Sequence, residues 1–493
     1  MRIYIAILSI VCLLFSCTNE EKSQPKTPSK EIWQKEAIAF LSHEKNLLSF
    51  GTVDLNQILI KAIYDSKLSE SGLVPTDMIK DYSKVIYTEL PIYFAVRSKL
   101  ENISTSEVIV ICKIKSAAAA IETMKKDFQI GEVIEENNVK FLFTSDIKIG
   151  LTESEMILFM SDNIDNKQAQ MVIENTINGL KSRKTNSEIA QTITAKDDIT
   201  FAINMEDIHK SLITAMNTEA SENNALVKGT IAMHLSFKKG KIVLTNKNYL
   251  PKQVLGLNIF AKDSKAMLKK LGAGSPITAI TLAMDIQVLE KLQKQYLPKS
   301  ISNAIQNSEL DANIKNLIPR ELSVIEAFIQ KDGFKNYIDG NLAFGEYLVD
   351  EKNTEYSAYL GIGPDLKEIL KNEFNPIKGF FHSLEIDATR MELYTSELNG
   401  PQSNTSALNL KPEFKDLGAK PISAFLDIQS HPNKEVLWNN KVPKRIIDLF
   451  KHITLNADLK GGELILTMKD EQSNALTQIA SLIPSLILGS IFQ

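Results

Sequence analysis

The sequence predicts an α+β protein of two similar tandem halves, each an antiparallel sheet packed with helices, behind a signal peptide and a flexible tether. Three observations carry this. A strand that ends in an apolar–Asp/Asn–apolar step and opens a helix occurs four times, at Val53-Asp54-Leu55, Ile203-Asn204-Met205, Met284-Asp285-Ile286 and Leu426-Asp427-Ile428. Two strand–turn–strand segments share one alternating pattern. Amphipathic helices lie between these landmarks, and alternating βα units are too few for a doubly wound sheet.

The first residues have the layout of a secretory signal. Arg2 supplies a positive charge, and Ile3 to Phe15 is apolar apart from Ser9. That run is too short for the roughly 20 residues a membrane-spanning helix needs. It ends Leu14-Phe15-Ser16-Cys17. This resembles the lipobox of bacterial lipoproteins, with Phe15 as its main departure. The resemblance implies cleavage between Ser16 and Cys17 and acylation of the Cys17 thiol. Two or three acyl chains anchor a protein stably, whereas one is marginal. Residues 18–30 are polar, with Pro25 and Pro28 and no apolar face, and read as a mobile tether. Glu20-Glu21 resembles the acidic surface-export signal of Bacteroidota lipoproteins; a solvated linker is the alternative.

The boundaries read as 1–16 signal, 17–30 lipidated Cys and tether, 31–270 first half and 271–493 second half. In the first half, Val108 to Cys112 is a β-rich run, and Ser116 caps an Ala-rich helix. Asp165 caps a helix through Ala169, Val172, Ile173, Thr176, Ile177 and Leu180, and 181–186 is a loop. Asn204 leads into a helical pattern of Ile208, Leu212, Ile213 and Met216. Ile231, Met233, Leu235 and Phe237 then alternate, Lys238-Lys239-Gly240-Lys241 turns the chain, and Ile242 to Thr245 returns. This is a hairpin with one buried face, which puts His234 at the surface.

The second half repeats the order. Gly272-Ala273-Gly274-Ser275-Pro276 connects the halves. Glu355 to Ile362 is a strand, Pro364-Asp365 opens a helix of Leu366, Ile369 and Leu370, and Ile453, Leu455, Ala457 and Leu459 alternate before a turn at Lys460-Gly461-Gly462-Glu463. Asn204 and Asp427 are 223 residues apart, Asp54 and Asp285 are 231 apart. Residues 45–250 and 278–470 therefore read as a tandem duplication. Catalytic groups are rarely copied into every repeat, so the Asp or Asn at 54, 204, 285 and 427 read as caps or turn formers, and the fourth, followed by His431-Pro432, has its helix start later. The uncharged stretch from Gln472 to Gln493 reads as a final helix packed on the body; a tail that contacts membrane or partner is the alternative.

Composition excludes more than it assigns. With Arg2 gone, the 56 basic residues fall to 55 against 60 acidic, interspersed, so nothing favours nucleic acid or anionic headgroups. Of three cysteines, Cys12 leaves with the signal and Cys17 takes lipid, which leaves Cys112 alone as a buried, inert thiol.

The six histidines, His43, His209, His234, His382, His431 and His452, show no metal-ligand spacing, and there is no Cys-rich knuckle. Gly-x-Ser-x-Gly is absent, Gly361-Ile362-Gly363 lacks the third glycine of a dinucleotide fold, and Asp162, Asp165 and Asn166 form no calcium loop. No metal or cofactor is expected, the catalytic residues of any activity are unknown from the sequence, and any enzymatic site would have to be assembled from scattered residues.

The lipobox, the Val53-Asp54-Leu55 step, its Asn204 version and the Val108–Lys126 strand and helix together resemble a family of Bacteroidota lipoproteins of unknown function. The resemblance covers most of the mature chain as pattern and implies no activity. It places the protein in the cell envelope as an outer-membrane lipoprotein. The expected function is non-enzymatic, binding or scaffolding an envelope partner from a lipid anchor; the alternative is a hydrolase of envelope or extracellular polymers.

Overall fold

The computed structural model describes residues 27–44, 46–63, 84–99, 102–128, 132–144, 147–161, 164–194, 197–205, 229–250, 258–271, 274–291, 336–351, 353–363, 383–386, 390–394, 408, 414–432 and 444–480. The signal, Ser16, Cys17 and the tether as far as residue 26 lie outside them, as do His209, His382 and the helices expected at 208–216 and 366–370. The fold is α+β, with antiparallel strand pairing throughout the described residues.

The chain divides into two compact units, Met1–Tyr249 with Asp470–Gln493, and Leu250–Lys469. The first unit runs α1 (Lys30–His43), β1 (Leu47–Val53), α2 (Leu55–Ile63), β2 (Ile92–Lys99), β3 (Asn102–Lys113), α3 (Ala117–Phe128), β4 (Ile134–Glu136), β5 (Val139–Phe143), β6 (Lys148–Leu151), β7 (Glu155–Met160), α4 (Asn166–Leu180), α5 (Ser187–Ile193), β8 (Ile199–Asn204), β9 (Thr230–Lys238) and β10 (Lys241–Tyr249). The sheet order is β4-β5-β6-β7-β3-β2-β1-β8-β9-β10.

Both faces of this sheet are covered. One carries Tyr93, Ala95, Ile109, Ile111, Ile157 and Phe159 and is packed by Trp33, Phe40 and Leu41 of α1, Ile173 of α4 and Ile193 of α5. The other carries Phe94, Val96, Val108, Val110 and Cys112 and is packed by Leu55 and Ile58 of α2 and Ala120 and Met124 of α3. Gly51, on β1 in the middle, has no room for a side chain: a Cβ there would lie 2.1 Å from the Thr200 carbonyl oxygen on β8.

The second unit runs α6 (Lys265–Leu268), a 3₁₀ turn (Lys269–Leu271), β11 (Thr278–Ala283), β12 (Ile338–Leu348), β13 (Thr354–Ile362), β14 (Ser383–Ile386), β15 (Arg390–Tyr394), β16 (Ile422–Asp427), α7 (Lys444–Ile447), β17 (Phe450–Asp458) and β18 (Gly461–Met468). Its order is β14-β15-β13-β12-β11-β16-β17-β18. In each unit the first strand is central, the next two lie to one side and the last three to the other.

After β18 the chain returns to the first unit. Gly240 N–H donates to Ser473 O, and α8 (Ala475–Ala480) places Leu476 against the α2–α3 face. The expected final helix is therefore present over α8; 481–493 lie outside the described residues. The division differs from the expected one at 270–271. Ser264 Oγ bonds Thr281 Oγ1 and Lys420 O, and Met267, Leu268 and Leu271 pack under β11 and β12, which ties 258–271 to the second unit.

Local expectations fare well where short-range chemistry decides. Asp54 accepts from Gln57 N–H, Asp285 from Gln287 and Val288 N–H, Asp165 from Gln168 N–H and Ser116 from Ala119 N–H. Asp427 closes a turn with Ser430, the other role expected of these positions. The β17–β18 turn comes at Leu459-Lys460, ahead of the expected position, because Asp458 accepts from both Lys460 and Gly461 N–H.

Candidate functional site

The charged groups of the first unit are concentrated where α1 crosses the sheet. Lys113 of β3 lies 2.5 Å from Glu155 of β7 and 2.9 Å from Glu36 of α1, with its ammonium 4.9 Å from the Trp33 ring centre. The Glu36 oxygen lies off the hydrogen-bond direction, so that contact is an ion pair first. Burial disfavours the Lys113 ammonium, but the two carboxylates outweigh it and hold its pKa above the ordinary lysine value. Burial also disfavours the Glu155 carboxylate; hydrogen bonds from Lys113, Thr152 and Ser154 and the lysine charge outweigh it and hold its pKa below the usual value. Arg97 bonds Glu44 at 2.8 Å and Glu107 at 2.7 Å. Lys61 meets Asp198, which is almost wholly buried and also accepts Phe237 N–H. These carboxylates are occupied by cations, which leaves them unsuited to acid–base work.

His234 is the histidine that comes nearest to a catalytic arrangement. The expectation that it lies at the surface is corrected. Its side chain is 11% exposed, on the face shared with Thr230, Ala232 and Ser236. Small residues there let α1 and α5 close in, so the larger Ile231, Met233 and Leu235 take the half-buried face. His234 Nδ1 lies 3.3 Å from Asp197 Oδ2 and 3.2 Å from Thr200 Oγ1. Burial lowers its pKa and Lys247 adds to that, against the pull of Asp197, so the ring is neutral near pH 7. A hydrolytic triad needs the acid on one ring nitrogen and the nucleophile on the other. Here both partners share Nδ1. Cys112 is buried, and burial pushes its thiol up to about 12, far from a nucleophilic thiolate. Among the described residues no group of three or more His, Cys, Asp or Glu could hold a metal ion.

The second unit offers a different surface. Leu360, Leu342, Leu282, Ile422 and Ala457 form one row across β13, β12, β11, β16 and β17. Ala358, Phe344, Ile280, Ala424, Leu455 and Leu464 form the next. Alternation puts both rows on one face. The opposite face carries small residues, Ala279, Thr281, Ala343 and Ser423, and is the one packed by Met267, Leu268, Leu271, Phe414 and Leu417. The apolar rows contribute nothing to the buried clusters among the described residues. Ile280 is 42% exposed and Tyr356, stacked on Phe344 at 5.8 Å, is 40% exposed. Glu346 on the same face is satisfied by Thr278 Oγ1 at 2.8 Å and faces His431 at 3.7 Å. Of these residues the sequence reading singles out Leu455, Ala457 and Leu464, and assigns them to the buried face of a hairpin.

No helix among the described residues is long and apolar enough to cross a membrane. No family model matches the chain, and no curated protein matches it. Among solved structures, crystal form I of TP0453 is similar to part of the chain, at a TM-score of 0.28 and 8% identity over 45% of this chain and 83% of that one. Crystal form IV gives a TM-score of 0.27 and 9% identity over 45% and 84%. A likeness this slight carries no argument about function.

Proposed function

We propose that the chain is a lipid-anchored envelope protein without enzymatic activity, which binds a partner protein through the apolar face of the second unit's sheet. The observation that carries this is the pair of apolar rows, with Ile280 exposed within them and Tyr356 exposed beside them. A large exposed apolar patch marks an interaction surface more often than chance exposure. The lipobox at Leu14–Cys17 supports the anchor, and the shared strand order of the two units supports an origin by duplication. Among the described residues the alternative of a hydrolase with a site assembled from scattered residues finds its nearest support in the Asp197–His234 contact, where acid and hydroxyl share one ring nitrogen.

Two experiments test the proposal. Replacing Cys17 by Ala moves the mature protein from the membrane fraction to the soluble one; continued tight attachment removes the anchor from the argument. Cross-linking in native membranes captures a stoichiometric envelope partner with the unaltered protein. Capture drops at least tenfold with Ile280→Asp and Tyr356→Asp together, while the melting curve is unchanged. Undiminished capture by that variant shows the partner binds elsewhere.

A further inference from the structure

The α1-covered face of the first sheet holds a line of polar side chains that neither the ion pairs nor the proposed docking surface uses. Tyr93 of β2 stands opposite Thr52 of β1, Thr52 opposite Thr200 of β8, Thr200 opposite His234 of β9, and His234 opposite Thr245 of β10. Each strand gives one residue, all on one face. The next line on that face is apolar over four strands, Ala95, Phe50, Ala202 and Ala232.

Two members of the line are buried hydroxyls with nothing to bond. Tyr93 is 0% and Thr52 5% exposed, and neither Tyr93 Oη nor Thr52 Oγ1 has a hydrogen-bond partner. Directly opposed residues of an antiparallel pair hold their Cβ atoms about 5 Å apart, so the two hydroxyls belong to one locale. Unsatisfied buried polar groups cost stability, and native structures retain few of them. A phenylalanine and a valine would fill the same volumes without that cost.

The closed end lies under α1 and α5. Trp33 packs edge-on against Tyr93 at 5.5 Å, and Gln34 Nε2 donates to Ile193 O, which joins the two helices above it. Towards the other end the line opens: His234 and Thr245 are only half-buried and Asp197 is partly exposed. The charges beside the line are balanced in pairs, Asp54 with Lys30 and Asp198 with Lys61. At the mouth Asp197 and Lys247 bring opposite charges to bear on His234, and the line itself carries no charged side chain. Tyr93 keeps its proton, because burial and then the Asp54 charge push its pKa up. His234 turns Nδ1 to Asp197 and Thr200. Hydroxyl donors and acceptors in a row, without net charge, suit a molecule that is itself neutral and rich in hydroxyls.

We propose that this line is a binding site for a small uncharged polyhydroxy ligand, with Thr52 and Tyr93 at the closed end and His234 at the mouth.

The test uses full-length protein in detergent with isotope-labelled histidine rings, the His234 signal being identified by its loss in His234→Gln. Glucose and N-acetylglucosamine are titrated separately. The expected result is a saturable shift of the His234 signal with at least one of them. Thr52→Val and Tyr93→Phe each weaken apparent binding at least tenfold, and neither lowers the melting temperature of the sugar-free protein. A His234 signal unmoved by both sugars means the hydroxyls meet only an ordered water, and overturns the proposal. So does a shift that persists in the Thr52→Val, Tyr93→Phe double variant. The two substitutions are nearly isosteric, and Thr245→Val at the half-buried mouth offers a third variant should either fail to fold.

Discussion

Replacing Lys113 by Met destabilises the first unit by about 3–5 kcal/mol, read as a lowered urea midpoint with unchanged slope. The substitution keeps most of the volume and the contact with Trp33 but removes the cation that lies between Glu36 and Glu155. Two carboxylates then face one another across a largely buried gap, and like charges at such range cannot both stay ionised cheaply. The companion variant Lys113→Met with Glu36→Gln and Glu155→Gln recovers most of the loss, since a buried ion cluster replaced as a whole is often neutral in stability. A loss under about 1 kcal/mol in the single variant would place the cluster among weak, solvated ion pairs and sink the argument. The acid limb follows from the carboxylate. Glu155 has a folded pKa below its unfolded value, so its contribution is complete above about pH 4.3 and is lost as pH falls through the folded value. Lys113 has a folded pKa above its unfolded one, so its share is complete below about pH 10.4 and fades as pH rises further. The cluster is therefore at full strength across the neutral range.

Ending the chain at Lys469 weakens the first unit, although the cut follows the second unit in sequence. The lost segment supplies Leu476 to the α2–α3 face, a hydrogen bond from Thr477 Oγ1 to Lys61 O at 2.5 Å and one from Asn474 Nδ2 to Phe237 O at 3.3 Å. Loss of a buried leucine with its hydrogen bonds costs about 3–5 kcal/mol. Hydrogen exchange locates the effect: amides of α2 and of the β9–β10 hairpin lose protection, while those of β11–β13 keep theirs. Leu476→Ala gives the same pattern at about half the size. Unchanged exchange in β9 and β10 after truncation would show that the returning segment is decoration.

What the sequence displayed followed the range of the physics involved. Caps at Asp54, Ser116, Asp165 and Asp285 depend on neighbours three residues away, and each was legible. The β9–β10 hairpin was legible for the same reason, through Gly240, whose φ of 65° suits the tight turn. α1 was partly lost in the polar tether because it starts at Lys30, although Trp33, Ala37, Phe40 and Leu41 recur at helical spacing. α5 is short, and its cap, Asn186 accepting from Glu188 and Ile189 N–H, sits inside what reads as a loop. The faces of β9 were misjudged because size was taken as the measure of burial. On β8 and β9 the buried face is made of alanine, serine and threonine. The Tyr93–Thr245 line spans five strands, and only their register brings its members together.

The discontinuity of the first unit sets a timetable. A chain made at about 5–20 residues per second needs tens of seconds to pass from Tyr249 to Asp470. For that interval β1–β10 exist without the segment that completes one of their apolar faces. Domains ordinarily close in the order they are made. Here the first to emerge is the last to be finished, and whatever handles the nascent chain must shield the α2 and β9 surface that α8 covers until residues 470–480 arrive.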